Sequence, residues 1–101
     1  MNITDEQAVD MVKAIVNQAK KDLDRAFRRG KIITSQRFIS STDMYTLNQG
    51  MDAIKFFNSA WFSQLMQGLN EYYFKRYKIP EKAEKVISYY NEVMSWQEEK
   101  Q

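Results

Sequence analysis

Apolar residues recur every three or four positions along most of this chain, which is the spacing of one face of an α-helix. The clearest run extends from Ala8 to Phe27. Thr4 and Gln7 have the spacing of a capping box at its start, and Gly30 is suited to the C′ position beyond its end. The pattern therefore predicts a first helix over about residues 4–29.

The periodicity is weakest over residues 31–50. Isolated apolar residues alternate there with several Ser, Thr and Asp residues, each of which could cap a helix. One or two short helices are expected, for example over 35–40 and 42–49, with Gly50 closing the second. An ordered loop is the alternative for this segment.

Two adjacent apolar rows follow, from about residue 51 to Lys78. A helix with so wide an apolar arc normally packs against two neighbours, so this segment is predicted to be the central helix. Trp61 lies in the first row and is expected to be a core residue. Gly68 falls on the same buried arc, where it would permit a close helix crossing or a kink.

Pro80 is predicted to open the last helix, because proline lacks the N–H that would be unpaired in a first turn. The inward stripe of this helix includes Val86 and Val93. The chain of 101 residues is therefore expected to form one all-α domain over 1–101. Its architecture would be a small bundle of three long helices plus one or two short helices in residues 31–50.

Composition removes several kinds of chemistry. The chain has no Cys and no His, which excludes disulfides, thiolate metal sites and histidine general bases. Ser59 and Ser63 have no evident base, and no glycine-rich phosphate loop is present. A Mg²⁺ site made of carboxylates alone is still compatible with the composition. The sequence nevertheless favours a protein that is not an enzyme and has no cofactor or metal.

The hydropathy pattern favours a soluble protein. No apolar run approaches the ~18 residues that a membrane span requires. The first residues, MNITDEQ, are polar and acidic, unlike a signal peptide. Absence of Cys is compatible with a reducing cytoplasm.

Positive charge is concentrated in one short segment. The net charge of the whole chain is only +2, but residues 20–31 carry six bases and two acids. The bases are Lys20, Lys21, Arg25, Arg28, Arg29 and Lys31. A solvated helix face is the favoured interpretation, because bases commonly lie near a helix C-terminus. Contact with nucleic acid or with an acidic protein is the alternative.

Four large aromatic residues miss the inward stripes of their predicted helices: Phe56, Phe74, Tyr89 and Trp96. Large aromatic side chains on a second helix face are typical interface anchors. They would bind another protein or a second copy of this chain, and Tyr89 and Trp96 are the expected anchors of a homodimer. The alternative is that the segment 31–50 folds over them.

A distinctive run, Phe56-Phe57-x-Ser59-x-Trp61-Phe62-x-x-Leu65 followed by Glu71-Tyr72, resembles a pattern in small helical accessory proteins of Gram-positive phages, prophages and related mobile elements. The N-terminal segment AIVNQAKKDLDRAF is similar to theirs as well. The two matching blocks cover residues 13–29 and 56–73. The pattern departs from theirs at Gln67-Gly68-Leu69-Asn70. That family has no assigned chemistry, so no catalytic residues carry over. The resemblance implies a protein that acts in the cytoplasm of a bacterial host cell.

Together these features favour a non-enzymatic helical protein-interaction module, a regulator or anti-defence factor that acts on a bacterial or phage protein. The alternative is a small nucleic-acid-binding protein that uses the basic segment 20–31.

Overall fold

The computed structural model describes the backbone of residues 5–99 and the side chains of residues 7–98. The proposed cap at Thr4 lies outside the described residues. Five helices are present in this range, and none of these residues forms a strand. The helices are α1 Asp5–Gln36, α2 Ser41–Phe57, α3 Ala60–Met66, α4 Asn70–Tyr77 and α5 Ile79–Glu99. The prediction of an all-α fold is confirmed.

Helix α1 is longer than predicted. It contains 32 residues and continues through Gly30 to Gln36, so the predicted end at residue 29 is wrong. Gly30 is buried inside the helix, and a Cβ there would overlap the ring of Tyr89. This glycine therefore allows a close approach of α5, while Arg37, at a φ of 54°, ends the helix.

The buried seam of α1 alternates steps of three and four residues, the heptad spacing of helices that pack lengthwise. Its members are Val16, Ala19, Leu23, Ala26, Gly30 and Ile33. Three of the six are Ala or Gly, so the neighbouring helices can come close to the α1 backbone.

The predicted short helices in 31–50 are replaced by the end of α1 and the first part of α2. The hydroxyl of Ser40 accepts a hydrogen bond from the N–H of Asp43 at 3.1 Å. The Asp43 carboxylate accepts one from the N–H of Ser40 at 3.3 Å. This capping box starts α2, which then runs through Gly50 without a break. Gly50 is a buried contact with Ala26 and not the predicted helix end.

The three long helices are α1, α2 and α5, and their contacts define the bundle. Gly50 lies against Ala26, Tyr89 lies against Gly30, and Lys82 reaches Asp24. Helix α5 therefore runs parallel to α1, with α2 antiparallel to both. Pro80 lies in the first turn of α5, as predicted.

The predicted central helix over 51–78 is wrong, because the chain breaks twice within it. Ser59 is the N-cap of α3, because its hydroxyl accepts a hydrogen bond from the N–H of Phe62 at 3.1 Å. Helix α2 therefore ends just before it. The second break contains Gln67, at a φ of 50°, and Gly68, at a φ of 88°. Gly68 is exposed, with open space where a side chain would be, and so does not belong to a buried arc.

These breaks fold α3 and α4 into a cluster of aromatic rings at one end of the bundle. Phe62 is fully buried, stacked on Phe74 at 5.4 Å and edge-to-face with Phe57 at 5.2 Å. Trp61, predicted to be core, is 52% exposed, and its ring packs edge-to-face against that of Phe56, with ring centres 5.6 Å apart. Because α3 begins at a new cap, its phase differs from that of a continuous helix, and Phe62 takes the inward position.

Candidate functional site

Two of the sequence-predicted anchors, Phe56 and Phe74, lie at the margin of the aromatic cluster. Each is half-buried. The ring of Phe56 lies 5.4 Å from that of Phe62, and Phe74 stacks on the opposite part of the same cluster. Both rings therefore have neighbours within the chain.

The other two anchors, Tyr89 and Trp96, lie along α5 and are also half-buried. The ring of Tyr89 covers Gly30 of α1. The guanidinium of Arg37 lies 5.7 Å from the ring centre of Trp96, a cation–π contact. Arg37 belongs to the segment 31–50, so part of that segment does cover one of the four rings.

Exposed apolar residues, among them Val9 and Met11, lie at the N-terminal end of α1, which extends beyond the other long helices. Helix α1 is about 48 Å long at ~1.5 Å per residue, and the molecule measures 52 Å along its longest axis. Gly50 is level with Ala26, and α2 ends seven residues later at Phe57, about level with Ala19. Upstream of Val16, therefore, neither α2 nor α5 lies beside α1.

The seam of α1 continues into this unsupported part. Val9 and Val12 keep the alternating steps of three and four residues that lead to Val16, yet Val9 is 52% exposed. An open groove of about 720 Å³ separates these valines from the segment 64–69. Its opposite wall contains Leu65, Met66 and Leu69.

The groove is apolar with a sparse polar rim. Lys13 is the only charged side chain among the residues that line it, and Gln64 and Gln67 supply amides at the other wall. Trp61 lies one turn before Leu65 on α3, which places its exposed ring on the same side of that helix. The resulting surface has the composition of a binding site for an amphipathic segment.

The basic segment 20–31 divides into two parts. Arg29 turns towards α2 and pairs with Asp43, its Nε 2.6 Å from Oδ1. Lys20 pairs with Asp24 at 3.1 Å and also lies 4.9 Å from the ring centre of Tyr77. The other four bases have no ion pair within residues 7–98 and are exposed: Lys21, Arg25, Arg28 and Lys31.

Two carboxylates, those of Asp43 and Asp24, are held in ion pairs by basic side chains. The hydrogen bond from Arg29 holds the pKa of Asp43 below its usual value, and bonds from Ser40 act in the same direction against the effect of burial. For Asp24, burial raises the pKa, but the hydrogen bonds and charges of Lys82 and Lys20 lower it by more, so the pKa lies below its usual value. Both groups are structural ion-pair partners, and neither has the raised pKa of a general acid.

Tyr73 is the one buried polar side chain that lacks a hydrogen-bond partner within the described part of the chain. Burial, followed by the charges of Tyr77 and Asp24, raises the pKa of its hydroxyl to about 12. Such a hydroxyl stays protonated at neutral pH. Because no base contacts it, the group provides no catalytic arrangement.

Two common kinds of functional feature are absent from residues 5–99. No group of three or more acidic, His or Cys side chains in this range could hold a metal ion. No helix in this range is long and apolar enough to cross a membrane.

Sequence reasoning missed the groove because it depends on a break that the periodicity concealed. Val12 belongs to the predicted first helical stripe and Val9 does not, and the stripe alone does not show where its partner helices stop. Asn58-Ser59 was the available indication, since Ser is a favoured N-cap residue and Asn often follows a helix end.

No protein-family model matches the chain, and no curated protein or solved structure matches it either.

Proposed function

We propose that the chain is a non-enzymatic interaction module whose groove between α1 and α3–α4 binds an amphipathic helix of a protein partner. The observation that supports this most directly is the seam of α1. Its heptad positions are covered by neighbouring helices from Val16 onwards, but Val12 is only half-buried and Val9 is exposed. A helix laid along the groove would continue the packing that α2 provides further along.

The walls of the groove define what the partner helix would present. Aliphatic side chains on both walls favour apolar residues at positions i, i+3, i+4 and i+7. Lys13 at the rim favours an acidic residue beside that stripe. The resemblance to phage and mobile-element accessory proteins supports a bacterial or phage protein as the source of the helix.

Site-specific photo-crosslinking tests this proposal. A benzophenone side chain replaces Leu69, which is 62% exposed and lines the groove. The matched control carries it at Tyr45, which is 63% exposed on α2 and lies away from the groove. Each protein is irradiated in a Gram-positive bacterial lysate, and crosslinked peptides are sequenced by mass spectrometry.

The expected result is a crosslink from position 69, absent from position 45, to a peptide with helical apolar spacing and an acidic flank. A synthetic copy of that peptide should then bind the natural chain, and the Val9→Glu variant should bind it at least about tenfold more weakly. Crosslinks only to a second copy of this chain would replace the proposal with a homodimer. Crosslinks to a peptide without apolar spacing would overturn it.

A further inference from the structure

The outer face of α1 is basic over two and a half turns. Lys21, Arg25 and Arg28 stand at i, i+4 and i+7, a spacing that aligns them on one side of the helix, and all are exposed. Asp22 lies on a different side, where its carboxylate accepts a hydrogen bond from the Gln18 amide at 2.9 Å. The basic row is therefore less interrupted in space than in the sequence.

Helix α5 adds bases beside this row. The ammonium of Lys82 lies 2.7 Å from Asp24 of α1. Lys82 and Arg28 also line the same shallow hollow between the two helices, about 280 Å³ in volume. Lys85 stands one turn after Lys82 on α5, and Lys78 immediately precedes that helix, so both add positive charge near Lys82.

The acids near this surface do not cancel its charge. Asp24 is shared between Lys20 and Lys82. Glu81 and Glu92 are exposed on α5, one turn before and two turns after Lys85. Asp24, Glu81 and Glu92 together carry three negative charges, so the eight basic side chains exceed them by five positive charges. The eight bases are Lys20, Lys21, Arg25, Arg28, Lys31, Lys78, Lys82 and Lys85.

We propose that this surface, which we call the α1/α5 basic face, binds the phosphate backbone of double-stranded nucleic acid without reading its bases. Lys21 and Lys31 are ten residues apart, about 15 Å along the helix. That distance corresponds to roughly four base-pair steps along the duplex axis at ~3.4 Å each. The basic side chains of Lys21, Arg25, Arg28 and Lys31 are exposed and have no ion pair within residues 7–98, so they suit a row of phosphates better than a single anion.

Binding of single strands through their nucleobases would need free aromatic rings for stacking. The ring of Tyr77 is already covered by Lys20 at 4.9 Å and by Arg76 at 5.6 Å from its centre. Phe27 is half-buried between α1 and α5. The face therefore offers charge without a stacking platform, which favours duplex backbone over single strands.

Binding of a labelled 20-base-pair DNA duplex, followed by fluorescence anisotropy between 50 and 200 mM NaCl, tests the proposal. Four to five phosphate contacts predict that log K falls with log salt with a slope of about −4. Single-stranded DNA of the same length and anionic phosphatidylglycerol vesicles serve as competitors. Both are expected to compete more weakly than unlabelled duplex.

Three charge-reversal variants separate a defined surface from overall charge. Arg28→Glu and Lys85→Glu lie on different helices of the α1/α5 basic face. Lys55→Glu makes the same charge change at an exposed position of α2, outside that face. We expect the first two each to weaken duplex binding about tenfold and to flatten the salt slope by about 1 or more. Lys55→Glu should change affinity less than about twofold.

Four results would overturn the proposal. No duplex binding at 50 mM NaCl would remove it outright. Equal losses in all three variants would indicate attraction by net charge alone. An unchanged Lys85→Glu variant would show that α5 takes no part in binding. Stronger binding to the vesicles than to the duplex would reassign the face to a membrane surface. None of these results bears on the groove, whose crosslinking test is independent.

Discussion

Gly50 of α2 lies so close to Ala26 of α1 that no side chain fits between the two helices. A Cβ on Gly50 would overlap the Cβ of Ala26 and would come within 3.3 Å of Val86 Cγ1. The three long helices therefore meet at one small residue. The distance between α1 and α2 depends on the absence of a methyl group at position 50.

Gly50→Ala should consequently destabilise the protein although alanine is the better helix former. The intrinsic gain is about 1 kcal/mol, while forcing a methyl group into a packed contact costs about 1–3 kcal/mol. Urea unfolding followed by circular dichroism measures the difference. A companion variant, Gly50→Ala with Ala26→Gly, returns the missing space. It should be more stable than the sum of the two single changes, and strict additivity would contradict this account of the contact.

Phe62→Ala and Trp61→Ala alter neighbouring residues and are expected to reduce the free energy of unfolding by very different amounts. Phe62 is fully buried among rings, so its truncation should cost about 3–5 kcal/mol. Trp61 is half-exposed, and its truncation should cost about 1 kcal/mol in proportion to the area it buries. Denaturant midpoints of the two variants decide the matter. A larger loss for Trp61→Ala would mean that α3 has the opposite phase.

Tyr73→Phe should be neutral or stabilising, by up to about 1 kcal/mol, because it removes a buried hydroxyl that has no partner. The measurement is again the free energy of unfolding. Ultraviolet titration of the natural chain provides a second readout. The phenol with a pKa of about 12 should ionise late and should be missing from the Tyr73→Phe titration.

Stability should decline in acid partly through Asp43. Its folded-state pKa lies below its usual value, so the stabilisation is complete above the unfolded value of about 3.9 and is lost as the pH falls through the lower, folded value. Thermal melts between pH 7 and pH 2.5 should therefore show a smaller acid-dependent loss for Asp43→Asn than for the natural chain. Asp52→Asn, an exposed change on the same helix, is the control and should keep the loss.

The positions of the glycines explain why helix ends were harder to predict than helices. Gly30 and Gly50 have the sequence context of helix C-termini, but both lie inside helices at close contacts. The actual ends at Arg37, Gln67 and Lys78 have positive φ without glycine. A single sequence reports which residues tolerate such angles, whereas tertiary packing decides where they occur.

The two candidate surfaces could likewise be predicted only where they depend on helix periodicity and not on tertiary packing. The basic side chains of α1 could be identified from the sequence, because the existence and phase of this helix were predicted correctly although its end was not. The contribution of Lys82 and Lys85 could not, because it depends on α5 running parallel to α1. The groove depends on the break at Ser59, after which Phe62 keeps its predicted buried position whereas Trp61, also predicted to be core, is exposed.

The unequal lengths of the helices also imply a gradient of amide protection along α1. Between Leu23 and Ile33 the helix is enclosed by two neighbours, so those amides should exchange with deuterium only when the whole domain unfolds. Around Val9 and Val12 the backbone hydrogen bonds have support from one side at most, so local opening should release those amides far sooner. A ligand seated beside the two valines would slow exchange there and leave the already protected middle of the helix unchanged. One helix thus contains both a binding reporter and its internal reference.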